Sequence, residues 1–349
     1  MLPGAARLAR APGFLFQRFN RKQQLVQEAI RLQALSERIA KERFGERIFR
    51  SATFIAALLV LILLGGVIVA LVQGSWPALA RFKLGFITTE IWNPVTEKFG
   101  ALAPIYGTLV TSLIAMLVAV PLSFGIAIFL TELAPAWLKR PVGTAIELLA
   151  AVPSIIYGIW GLFVFAPLLQ AHVQPWLIDT LGPIPILGNL FQGPPFGIGV
   201  MTAGLILAVM VLPFISAVMR DVFETVPDVL KESAYGLGAT TWEVIWKVVV
   251  PYSRAGVTGG VMLGLGRALG ETMAVTFVIG NAHRVSASIM APGTTISAAI
   301  ANEFTEAVGD LYTSSLIALG VLLFVITFAV IAAARLMLMR LNRKALSSV

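Results

Sequence analysis

Six apolar runs, each about as long as a helix that crosses a bilayer, decide what this chain can fold into. They lie at 52–73, 103–133, 143–169, 198–219, 255–281 and 312–337, against the roughly 20 residues that cover a hydrocarbon core. Inside lipid every backbone N–H and C=O must be bonded within the protein, so runs of this length are expected as helices. The second, third and fifth exceed the minimum, which predicts tilt or extension past the bilayer. Pro121, Pro153 and Pro213 fall within runs and are candidate kinks. The composition agrees, since only 13% of residues are charged, where a soluble domain carries about 25%. The expected fold is an all-α integral membrane protein with six transmembrane helices.

Charge sets the expected orientation. The net charge is +8, and eleven of the 26 Lys and Arg residues precede Ser51. With the N-terminus inside, twenty-one basic residues fall on the inner side and four (Arg81, Lys83, Lys98 and Arg284) on the outer, while Arg267 lies within the fifth run. Cytoplasmic loops carry the excess of Lys and Arg, so both termini are expected in the cytoplasm. The chain then divides into a basic amphipathic tail at 1–50, a transmembrane domain at 51–340 and a short C-terminal tail at 341–349. The first tail reads as helical from Arg21 to Arg50, with Leu25, Leu32 and Ile39 seven apart. It suits a solvated or membrane-surface helix, or a docking element for a partner. Its charge can contact anionic lipid, and no nucleic acid is called for. Some fifty mostly polar residues before the first run are unlike a signal peptide.

Several chemistries are disfavoured. With no cysteine there is no thiol or disulfide chemistry, and two histidines do not suggest a His-rich metal site. Glu132, Glu147 and Asp179 form no carboxylate pair at a readable spacing, and no nucleophile stands beside a base. No Gly-Lys pair occurs, so a phosphate-binding loop of the GxxxxGK[ST] type is lacking. The expectation is a non-enzyme that binds no cofactor of its own. If ATP drives it, another chain must hold the nucleotide and magnesium.

The segment 220–254, between the fourth and fifth runs, carries more information. Pro227 and Asp228 offer a helix start, Gly236 and Gly238 a bend, and Thr241 with Glu243 a second start that ends before Pro251. A helical elbow with exposed aromatic and apolar residues suits insertion into a partner's groove. Glu232, Ser233 and Ala234, then Gly238, then Val248, Val250 and Pro251 resemble the coupling loop of ABC importer permeases. That pattern is Glu-Ala-Ala, three residues, Gly, nine residues, Ile, one residue, Leu-Pro. The spacing matches throughout, with Ser233, Val248 and Val250 as mild departures. In that family the loop docks on a separate ATP-hydrolysing subunit and transmits its closure to the membrane helices.

The fifth run contains Gly264-Leu-Gly-Arg-Ala-Leu-Gly-Glu-Thr272. On a continuous helix Gly260, Gly264, Arg267 and Glu271 share one face. Gly256, Gly260 and Gly264 make two overlapping GxxxG steps, which let helices approach closely. A charge at mid-membrane costs about 2.5–3.5 kcal/mol on insertion scales. Arg267 and Glu271 should therefore face the bundle interior or a wet pathway. Their i,i+4 spacing permits a self-satisfied ion pair. Equally, the planar guanidinium fork suits phosphate or carboxylate oxygens, with Glu271 weakening the site so that an anion passes.

Gly264–Val275, Ile279–Asn281, Ala291–Thr295, Ile300–Phe304, Phe191–Phe196 and Val218–Phe223 resemble the phosphate-importing members of the ABC importer permeases. The likeness covers roughly 50–340. It implies a type I importer permease fold, a place in the bacterial inner membrane, and Arg267 and Glu271 in the substrate pathway. It also implies a second, homologous permease subunit, a dimer of ATP-binding subunits and a periplasmic phosphate-binding protein. Rival readings are a permease for sulfate, molybdate or phosphonate, an ATP-independent secondary transporter or channel, and a membrane-embedded regulator. Among lesser candidates, Arg220 and Asp221 read as an interfacial charge stop, or as a gate or ATPase contact. His283 and Arg284 read as an interfacial pair that could attract an anion. Thr294 and Thr295 suit a turn, and His172 a loop.

Overall fold

The computed structural model describes the backbone of residues 12–185 and 188–346 and, between 48 and 337, their side chains. The chain falls into two compact units, Met1–Val69 and Ala70–Val349. Residues 1–11 lie outside the described residues, and so do the side chains of Leu25, Leu32 and Ile39, on which the amphipathic stripe rests.

Among the described residues, six helical segments are long and apolar enough to span a membrane: Ile48–Phe82, Leu102–Leu133, Ser154–Leu181, Val200–Glu224, Thr241–Gly270 and Asp310–Met337. The first is the end of α1 (Pro12–Phe82). A short turn, α2 (Gly85–Thr88), and a two-residue hairpin, β1 (Trp92–Asn93) with β2 (Lys98–Phe99), lead to the second span. That span is α3 (Leu102–Ile128), continued by a π-helical turn at Phe129–Leu133.

The third span differs from expectation. Residues 136–150 form a separate helix, α4 (Ala136–Ala150), and the span starts only at Ser154. Pro153 is the cause: it lacks an N–H, and the residue before a proline is driven out of the helical region. The span is then built from α5 (Ser154–Trp160), α6 (Ala166–Leu168) and α7 (Gln174–Leu181), joined through π-helical turns at Gly161–Phe165 and Leu169–Val173. Pro121 and Pro213, by contrast, sit inside helices that continue through them.

The fourth span, α8 (Val200–Glu224), is the buried centre of the second unit; Ile206, Leu207, Val211, Ile215, Met219 and Phe223 are fully enclosed. After it comes an elbow of α9 (Asp228–Gly236) and α10 (Thr241–Val244). The second arm was expected to stop before Pro251. Instead a π-helical turn at Ile245–Val249 carries it into α11 (Val250–Gly270), and the helix continues through Pro251. The fifth span therefore begins at Thr241 and ends at Gly270, eleven residues short of 281. The chain resumes as α12 (Met273–Val278), then a loop, α13 (Ile296–Glu303) and α14 (Asp310–Leu346).

Candidate functional site: a broken span and a helical elbow

The α8–α11 seam places the intramembrane charge. Gly256 faces Val222, Gly260 faces Val218, and Gly264 faces Ile215 and Val211. Each step of four along α11 matches a step of about four back along α8, so the helices run antiparallel in close contact. A Cβ at Gly264 would lie 2.5 Å from Ile215 Cδ1, and one at Gly260 would lie 3.1 Å from Val218 Cγ1. The GxxxG steps thus serve close approach of backbones. The Arg267 guanidinium lies 5.8 Å from the Phe214 ring centroid, near the middle of α8.

Gly264 is buried in the seam, whereas Arg267 is exposed on the chain's surface. The expected single face of Gly260, Gly264, Arg267 and Glu271 is therefore corrected. In its last third α11 exposes Leu263, Arg267 and Gly270. Glu271 is not helical; it is extended at φ −69, ψ 132. Its Oε1 accepts the Ala274 N–H at 3.2 Å, helping to start α12. Among the described residues, no carboxylate oxygen lies within the 4.0 Å of an ion pair with Arg267. The i,i+4 pair is absent because the helix that would have created the spacing ends at Gly270. An irregular stretch at this depth is tolerated where it is packed in protein or borders water.

The elbow is shaped as the residues dictate. Gly238 has φ +86 and open space around it, the left-handed conformation that lets the chain reverse between α9 and α10. Thr240, not Thr241, caps the second arm: its hydroxyl accepts the Glu243 N–H, and Glu243 reaches back to the Thr240 N–H at 3.1 Å. Lys247 donates to the Glu243 carboxylate at 2.8 Å. Glu232, Ser233 and Gly238 are exposed, Ala234 half-buried, Val248 and Val250 half-buried, and Pro251 exposed. Around them stand Val229, Leu237 and Trp242, with relative exposures of 69%, 90% and 68%.

The remaining candidates each have a defined place in the fold. Arg220 Nη2 lies 2.6 Å from Glu147 and 3.2 Å from Asp221, so it ties α8 to α4. Glu132 pairs with Lys231 at 2.6 Å. Thr295 caps α13 by accepting the Ala298 N–H, and Thr294 is buried beside it. His172 sits in the third span and not in a loop. His283 stacks on Trp92 at 5.0 Å and meets Glu303 at 2.6 Å, which also accepts from the Trp92 indole and the Tyr312 hydroxyl. Burial would raise the Glu303 carboxyl, but hydrogen bonds from His283 and Tyr312, the His283 charge and the Trp92 bond together hold it below the usual carboxylate range. Sequence reasoning missed this hub, since four residues from four segments have no readable spacing.

Residues 119–343 match the model of a family described as "Binding-protein-dependent transport system inner membrane component". The chain belongs to this family. A relative named "Phosphate transport system permease protein PstC" from Mesorhizobium japonicum is 65% identical, over 91% of this chain and 98% of its own length. A relative of the same name from Pasteurella multocida is 60% identical, over 86% of this chain and 93% of its own. Among solved structures, a chain of a bacterial alginate ABC transporter, crystallised with an alginate pentasaccharide-bound periplasmic protein, superposes with TM-score 0.53 at 19% identity. The match covers 81% of this chain and 94% of that one, and it supports the fold alone. The protein is thus a multi-pass permease of the ABC importer fold.

Proposed function

We propose that this permease is one membrane-spanning subunit of an ATP-driven phosphate importer in a bacterial inner membrane, forming half of the translocation pathway. The carrying observation is Arg267. It lies beside Phe214 near the middle of α8, exposed on the chain and unpaired among the described residues, next to a span that breaks at Glu271–Thr272. A charge in that position is too costly to leave against lipid, so its face meets a wet passage or a second chain. The names of the close relatives favour phosphate as the solute.

Mechanistically, a homologous second permease subunit completes the passage against the exposed residues of α11. A dimer of ATP-binding subunits, holding ATP and magnesium, receives the α9–α10 elbow. A periplasmic phosphate-binding protein delivers the anion to the outer side, and lipid covers the remaining apolar faces. Both termini are cytoplasmic in this arrangement. Arg267 offers a planar set of donors to phosphate oxygens. Glu271 is held by the Ala274 N–H close enough in the chain to temper that attraction and so favour release.

The test is reconstitution of the chain with these partners in vesicles. The expected result is phosphate entry that requires ATP and the binding protein and is not displaced by sulfate, molybdate or phosphonate. Entry driven by an ion gradient with no ATPase present, or equal competition by those anions, refutes the assignment.

A further inference from the structure

The elbow is joined by the chain to α8 and α11, and the ordinary expectation is that ATPase movement enters the membrane through those two helices. A third connection is present. Lys231, on α9, donates to Glu132 Oε1 at 2.6 Å, and the two side chains are only 16% and 6% exposed. Glu132 belongs to the π-helical turn that ends the second span, ninety-nine residues away in sequence. The turn is braced by Lys139, whose ammonium donates to the Thr131 carbonyl at 2.5 Å. Beside it, Trp246 packs on Phe124 of α3 at 5.8 Å between ring centroids, and Phe124 meets Phe223 of α8 edge-on at 5.8 Å.

The other end of α3 is equally engaged. Gly107 lies so close to the Thr294 carbonyl that a Cβ would overlap it, and Thr108 Oγ1 accepts the Ile296 N–H at 3.0 Å. The loop it holds is bonded onward. Gly293 N–H donates to Ile279 O at 3.0 Å, at the end of α12, and Val200 N–H to Ala291 O at 3.2 Å. From Thr108 to Glu132 is about 36 Å at 1.5 Å per residue. One helical run of that length, continuing through Pro121, is pinned to the elbow at one end and to the loop behind the broken span at the other.

We propose that the Lys231–Glu132 pair is a positioning device that makes α3 a push-rod, carrying elbow movement to the 291–296 loop and thence to the α12 side of the Glu271–Thr272 break. A buried, charge-assisted link resists shear better than an apolar contact, because sliding leaves a desolvated charge without its partner. This inference rests on the coupling role proposed above for the elbow. Two charges with little solvent access at this junction have no other partner among the described residues.

The experiment measures phosphate moved per ATP hydrolysed by the full reconstituted complex. Lys231→Met and Glu132→Gln are expected to lower that ratio at least tenfold. Lys231→Arg should stay within about threefold, and the exchanged pair Lys231→Glu with Glu132→Lys should recover most of the loss. A merely structural pair would change the amount of assembled complex but not the ratio. If a single variant fails to assemble, the exchanged pair decides: a restored ratio supports the rod, and assembled but uncoupled complex overturns it. An unchanged ratio in both single variants, in a complex that works, overturns this inference alone. No ATP-dependent uptake by the unaltered complex overturns the functional reading and this inference with it.

Discussion

Val200–Glu224 and Thr241–Gly270 run antiparallel against each other, yet 72% of the most apolar stretch of the first is buried within the chain and only 22% of the second. The first encloses Ile206, Val211, Ile215 and Met219 on all sides. The second meets it with glycines and leaves Leu263, Arg267 and Gly270 outward. Apolar sequence alone does not say which span is the centre and which forms a wall. The difference lies in side-chain volume: one helix supplies the bulk, the other supplies room and carries the charge.

The comparison is broken most severely at Arg267. Arg267→Gln should reduce uptake roughly a hundredfold or more while the complex still assembles, since an exposed residue contributes little to packing. Arg267→Lys should fall between, because an ammonium keeps the charge but lacks the planar fork. Labelled phosphate entry, normalised to purified complex, reads both; normal uptake by the Gln variant would return Arg267 to a structural role.

Next in size is the seam. Gly264→Ala places a methyl against Ile215 and should destabilise by about 1–3 kcal/mol, the usual range for overpacking, and Gly264→Leu should deplete folded permease from the membrane. Gly270→Ala, with open space around it, should leave folded yield within about twofold. Thermal unfolding in detergent distinguishes them, and equal sensitivity at both glycines would show that the two faces of α11 are alike.

A smaller effect is expected away from both helices, at Glu303. Its carboxyl is lower in the folded protein than in the unfolded chain. Its contribution is therefore complete above the ordinary carboxylate range and disappears as pH falls through the lowered value. Unfolding temperature should drop as pH falls below the ordinary carboxylate range, and Glu303→Gln should flatten that drop. Smallest is the elbow's cap. Thr240→Ala should shift uptake by less than about twofold, because one cap is a modest part of the elbow's anchorage.

The six spans and the elbow were legible because they rest on local signals: length of apolar run, a proline, a glycine, a capping pair. The boundaries missed were those where one residue outweighed the run. Pro153 moved the third span eleven residues along, from 143 to 154, and the break after Gly270 shortened the fifth. Arg267 and Glu271 stood out by charge, but their relation did not follow from spacing, because spacing presumes an unbroken helix. Lys231–Glu132 and the Glu303 hub were illegible for a different reason. Each joins residues far apart in sequence, and only packing brings them together.

The Phe214 ring has one more implication. A carboxylate neighbour would occupy part of the guanidinium fork, and dislodging it would be a toll on each arriving oxyanion. An aromatic face 5.8 Å away steadies the cation through its electron cloud and accepts none of its N–H bonds in the process. If Arg267 meets the solute as proposed, the five donors of the fork are left for it, and grip on the arginine and readiness toward cargo do not compete.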